Sequence, residues 1–198
     1  MELFRIEFFR RDNAKWFVVA GCAAVNIVLV QVVSVLELPV FLDTIGTILA
    51  ALLAGPWMGM LAGLVSNLIQ GLISGLPTEA FAPVSMAIGL SAGYLGRRGL
   101  FRSLPRVLVS GILVSIVATL AATPIRTCLF SDGQTGAGAD FLIAYLNAVG
   151  RNLVQSMAWA IAGVNLIDKI LCCVIAWGIV KAVPKRLRAY FPETCPIE

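Results

Sequence analysis

The apolar positions of this chain come in long unbroken runs, not in the alternating or one-faced patterns of a water-soluble domain. Residues 16–36 carry no charge, and about 21 apolar residues suffice to cross ~30 Å of hydrocarbon as a helix. A secretory leader would have a shorter apolar core of about 7–15 residues and a small-x-small cleavage site. Neither is evident, so the run reads as an uncleaved first helix. Before it, Phe4 and Phe8 sit four apart among charges, which suggests a short amphipathic helix over residues 1–12 lying on a membrane surface.

Glu37, Pro39 and Asp43 break the first run, and residues 44–78 are again uncharged. That stretch is too long for one span and suits two short ones. Gly55-Pro56 marks the division, because Gly favours the position past a helix end and Pro the first helical turn. The predicted helices are therefore 40–54 and 56–74. The first of these is short for a full span and must lie deep in a bundle or tilt little. A loop with Gly75, Pro77 and Glu79 precedes a fourth helix over 83–96. A basic loop holds Arg97, Arg98, Arg102 and Arg106. Pro105 starts a fifth helix, 105–123, and Pro124 is expected to end it. Residues 125–140, with Ser131, Asp132, Gly133, Gly136 and Gly138, read as a loop. From 141 to 183 the chain is mostly apolar, and length alone would allow two more spans.

Charge decides between six and seven. Basic residues mark cytoplasmic loops. With six spans, the N-terminus, the Arg97–Arg106 loop and the Lys181–Arg188 tail share the cytoplasmic side. The opposite loops then hold Glu37, Asp43, Glu79, Asp132 and Asp140, opposed only by Arg126. A seventh span would carry Lys181, Lys185, Arg186 and Arg188 outside. The predicted fold is an all-α integral membrane bundle of six transmembrane helices, a single domain over 1–198 with both termini cytoplasmic. Residues 140–155 form a surface helix before a last span at 159–183. Trp16 and Trp57 near helix ends suit an interfacial belt.

Composition agrees. The chain is 59% hydrophobic and 13% charged, against about 45–50% and about 25% in soluble domains. The net charge of +4 sits at the ends of apolar runs, which points to topology and anionic headgroups and away from nucleic acid. There is no histidine, and the five cysteines include no C-x-x-C pair. This excludes histidine-based catalysis and metal sites and leaves a cysteine-only zinc site without its spacing. No metal or cofactor is expected. No Walker A loop is present, so any uphill movement of solute needs energy from a partner or an ion.

Polar side chains inside the spans carry the candidate chemistry, since each must be paired or line a cavity. Ser66, Asn67, Gln70 and Ser74 lie close to one face of the third helix, with Thr44 and Thr47 on the second. Two readings are open: hydrogen bonds between helices, or a polar pocket open to the outer side. Asn147, Arg151, Asn152 and Gln155 fall on the surface helix, as headgroup contacts or as a lid. Asp168 and Lys169 are neighbours on the last helix and so are not expected to pair simply with each other. Each needs a partner elsewhere, unless Lys169 snorkels to the interface. Small residues recur at spacing four in Ala20/Ala24, Gly59/Gly63, Gly89/Gly93 and Ala158/Ala162, which permits close helix packing. Ala20/Ala24 is the pair expected to dock another membrane protein, because the first helix has little polar character to bury.

Three segments together resemble the substrate-binding S components of energy-coupling factor (ECF) transporters. They are Leu38-Pro-Val-Phe-Leu-Asp-Thr-Ile-Gly-Thr47, Ala54-Gly-Pro-Trp-Met-Gly-Met-Leu-Ala-Gly63, and Asn165-Leu-Ile-Asp-Lys169 followed by Pro184-Lys-Arg. The resemblance covers nearly the whole chain and implies a non-enzymatic subunit of a prokaryotic plasma membrane. Such a subunit captures a vitamin or related micronutrient on the outer side. It works with a transmembrane coupling protein and two cytoplasmic ATPases, docking through an alanine-x-x-x-alanine motif that Ala20 and Ala24 match. By polarity and topology, the substrate-binding candidates are Asp43, Thr44, Asn67, Gln70, Glu79, Asn147, Asn152 and Asp168. The scarcity of outer positive charge favours a neutral or cationic substrate over an anionic one. The competing readings are a stand-alone secondary transporter, a membrane sensory protein, and a membrane enzyme. The last would need paired acids or an activated nucleophile, and the acids here are scattered.

Overall fold

In a computed structural model the chain describes residues 11–36, 40–74, 79–129 and 153–184. Within them lie six helices: α1 Arg11–Val35, α2 Ile45–Ala54, α3 Pro56–Ser74, α4 Ala82–Arg97, α5 Leu104–Leu129 and α6 Leu153–Ala182. Four of these, α1, α3, α5 and α6, are long and apolar enough to cross a membrane. The described residues contain no strand. Large apolar side chains such as Val28, Leu72, Ile116, Leu120 and Ile167 point outward, as expected where the surrounding solvent is hydrocarbon.

The shortest helix is the centre of the bundle. α2 packs against α1, α3, α4 and α6, and every residue of it except Leu49 is buried. Ten residues reach only ~15 Å at 1.5 Å per residue, about half the hydrocarbon thickness. Enclosure by its neighbours lets it stop there, since irregular backbone at that depth is tolerated when protein groups satisfy it.

Glycines set the closest approaches. A side chain at Gly59, Gly63, Gly89 or Gly93 would collide with the facing helix: Gly59 meets Ala51, Gly63 meets Ser85, Gly89 meets the Gly59 backbone and Gly93 meets Pro56. The pairings 63 with 85, 59 with 89 and 56 with 93 show α3 and α4 running antiparallel. These spacing-four glycines therefore serve packing within the chain. On the far side, Asn165 donates to the Thr119 hydroxyl at 3.2 Å and Gly111 rests on Ile170, so α5 and α6 are also antiparallel.

Several predicted boundaries shift. The first helix is already formed at Arg11, the first described residue, upstream of residue 16. The second begins at Ile45, not at 40, because Phe41 and Leu42 spend their N–H groups on a side chain of α6 and Leu42 turns left-handed (φ 48°). The fifth does not stop at Thr123: it continues through Pro124 to Leu129. Its last turns are held by Arg126, whose guanidinium packs on the rings of Phe41 and Phe81 at 5.1 and 4.9 Å. Residues 153–155 of the expected surface helix over 140–155 belong to α6, which is already helical at Leu153, the first residue described after 129. The remainder of that helix, with Asn147, Arg151 and Asn152, and the amphipathic segment through residue 10 lie outside the described residues. Gly55 (φ 96°) separates α2 from α3 as predicted.

Candidate functional site

Two hydrogen-bonded clusters converge on α2. The first is ionic and joins the start of α2 to α6. Asp168 is fully buried. One of its oxygens accepts the N–H groups of Phe41 at 3.1 Å and Leu42 at 2.8 Å. The other meets the ammonium of Lys169. That ammonium also donates to Asp43 Oδ1 and to Thr44 Oγ1, each at 3.0 Å. An ammonium has three protons, and here three acceptors take them. Lys169 is 2% exposed, so it does not snorkel, and it pairs with its sequence neighbour as well as with Asp43. Its flexible four-carbon stem lets the ammonium double back, which spacing on the helix surface alone does not anticipate. Asp43 keeps 35% of its side chain exposed, so one face of the cluster is open.

The second cluster is neutral and lies deeper. Asn26 of α1 is 1% exposed. Its carbonyl oxygen accepts the Gly46 N–H at 2.7 Å. Its amide donates to Thr47 Oγ1 at 2.8 Å and to Ser66 Oγ at 3.3 Å. The first N–H groups of a helix lack intrahelical partners, and Thr44 makes no side-chain cap to α2. Asn26 supplies one from a different helix. The expectation that α1 buries little polar character is thus wrong at this position. An Asn within the uncharged run 16–36, which holds only Gln31 and Ser34 besides as polar side chains, is the signal the sequence offers.

The third helix contributes the remaining candidates. Asn67 donates to the Gly63 carbonyl at 2.9 Å and to Ser85 Oγ at 2.7 Å, tying α3 to α4. Gln70, 5% exposed, donates to Ser74 Oγ at 3.0 Å. Its carbonyl oxygen is buried and has no hydrogen-bond partner among the described residues. Glu79 folds its side chain over Gly71, one residue on from Gln70. Six of the eight candidates are thus described. Asp43, Thr44 and Asp168 share the ionic cluster, while Asn67, Gln70 and Glu79 follow the upper half of α3. Arg126, between Phe41 and Phe81, closes the same end of the bundle, a role its sequence context does not announce.

Chemically, this end offers an exposed carboxylate on a fixed frame and a buried acceptor with unused capacity. The apolar walls come from loop phenylalanines. Such a mix orients a small molecule without reacting with it. On α1, Ala20 and Ala24 are exposed and, among the described residues, nothing stands within 4 Å of a side chain added at Gly21, so this strip of α1 is uncovered.

The family described as ECF transporter, substrate-specific component, matches the chain over residues 17–180. Neither a characterised protein nor a solved structure matches it.

Proposed function

Because this chain belongs to the substrate-specific components of ECF transporters, a family of multi-pass membrane subunits that are not enzymes, we propose that it captures a vitamin or related micronutrient. Capture draws on Asp43, through which the ionic cluster opens, and on Gln70 and Glu79, which lie beside Gly71 of α3. The observation that carries this reading is the carbonyl oxygen of Gln70, buried and without a hydrogen-bond partner among the described residues. A buried polar atom without a partner costs about 1–3 kcal/mol, and a ligand donor would relieve that cost. Asp43 and Glu79 would contact the substrate beside it. Thr44, Asn67 and Asp168 would hold the frame, and Asn147 and Asn152 would cover it from above. The open carboxylates favour a neutral or cationic substrate.

The full proposal places six spans across a prokaryotic plasma membrane, as one domain with both termini cytoplasmic and the site facing outward. The basic turn after α4 and the basic tail then lie inside. Transport is driven by a membrane coupling protein with two ATPases, docked on the Ala20–Ala24 strip, where small side chains let a partner helix approach closely. Purification from native membranes in mild detergent tests this. The account expects a coupling protein and ATPases to co-elute with the chain. Ala20→Leu with Ala24→Leu should abolish that association and leave the melting temperature unchanged. Solute movement by the purified chain alone in liposomes, with no ATPase present, would overturn the reading in favour of a secondary transporter.

A further inference from the structure

The opposite end of the bundle, remote from both polar clusters, carries a built cleft. Between α4 and α5 the chain turns through residues 98–103. Gly99 adopts φ 77°, and the Arg102 side chain lies directly over it. Phe101 is fully buried and plugs the turn into the core. Ser110 donates to the carbonyls of Leu100 and Arg106, each at 3.0 Å, pinning the turn to the first turns of α5. The result is a fixed cleft of about 350 Å³ lined by Arg98, Gly99, Leu100, Pro105, Arg106 and Val109.

Its chemistry is one-sided. Arg98, Arg102 and Arg106 are exposed around it. No acidic residue occurs between Glu79 and Asp132 in the sequence, so neither helix nor the turn joining them brings an acid to the cleft. Beside the arginines, Tyr94, Leu104, Leu108 and Val109 are exposed apolar or aromatic side chains. Tyr94 and Arg98 are one turn apart on the same face of α4. A general topology signal needs basic residues near the membrane surface. It does not need a cleft lined by Arg98 from the end of α4 and Arg106 from α5 with an apolar shelf beside it.

We propose that this cleft binds a phosphate group carried by an anionic phospholipid, the headgroup between Arg98 and Arg106 and the acyl chains along the apolar shelf. Guanidinium groups suit phosphate because their planar fork donates to two oxygens at once. The inference needs only that the chain sits in a membrane. It is independent of the substrate reading and of the docking strip.

The test reconstitutes the full chain in vesicles of mixed phosphatidylcholine and phosphatidylglycerol. After mild detergent extraction, the lipid retained per chain is measured by native mass spectrometry. Phosphatidylglycerol should be enriched on the natural chain. Arg98→Gln with Arg106→Gln should cut that enrichment more than about tenfold, since two charge-assisted guanidinium contacts to the phosphate are lost together. The melting temperature in pure phosphatidylcholine should stay unchanged. Lys181→Gln, at the end of α6, should keep the enrichment. Equal loss in the Lys181 variant would reduce the site to bulk charge and overturn the proposal. Full displacement of the lipid by millimolar inorganic phosphate would overturn the lipid as the source of the phosphate group.

Discussion

The two clusters that fix α2 do the same mechanical job with different chemistry. The neutral one, centred on Asn26, lies in the middle of the bundle and has no open side: its donors and acceptor are all spent on Gly46, Thr47 and Ser66. The ionic one, centred on Lys169, lies toward the end of the bundle and opens through Asp43. Removing one partner from a buried neutral set forfeits a few modest hydrogen bonds. Removing one partner from a buried ion set leaves a charge in a poor solvent. The neutral cluster is therefore suited to holding helices together, and the ionic one to holding a loop with Leu42 at positive φ against α6.

The largest predicted effect breaks the ionic side. Asp168→Leu removes the acceptor for Phe41 and Leu42 and leaves Lys169 with Asp43 as its single counter-ion. It should destabilise the protein by about 3–5 kcal/mol, read as a drop in melting temperature in detergent. Combining it with Lys169→Met should recover much of the loss, because the pair contributes less than its rupture costs. If the single and double variants melt together, the loss belongs to the loop N–H groups and not to charge.

A smaller effect is expected on the neutral side. Asn26→Leu forfeits three hydrogen bonds, which in membrane bundles average about 0.6 kcal/mol each. A loss of about 1–2 kcal/mol follows. It should be accompanied by faster amide exchange at Gly46, whose N–H loses its cap. A loss as large as that of Asp168→Leu would erase the distinction between the clusters.

Much of the architecture was legible from apolar run length and from Gly and Pro punctuation. The Gly55-Pro56 break follows from these signals. The boundaries that moved are those set by tertiary partners. α2 starts late because Asp168, more than 120 residues away in sequence, takes the N–H groups of Phe41 and Leu42. α5 passes Pro124 because loop rings hold Arg126 beyond it. The same limit applies to the site. Polarity picked out Asp43, Gln70 and Asp168, but which of them is spent on the chain and which is left open depends on distances that no local pattern encodes. Asn26 shares its uncharged run with Gln31, and only the Gly46 N–H seated on its carbonyl oxygen distinguishes it.

The most direct test uses Gln70→Leu. Its carbonyl oxygen bonds to nothing among the described residues, so the substitution should leave the melting temperature of the ligand-free protein unchanged or slightly raised. The ligand carried by the natural chain, identified by native mass spectrometry after purification from host membranes, should then bind the variant about tenfold more weakly by equilibrium titration. Unchanged affinity in a variant of unchanged stability would place the substrate elsewhere and contradict the account.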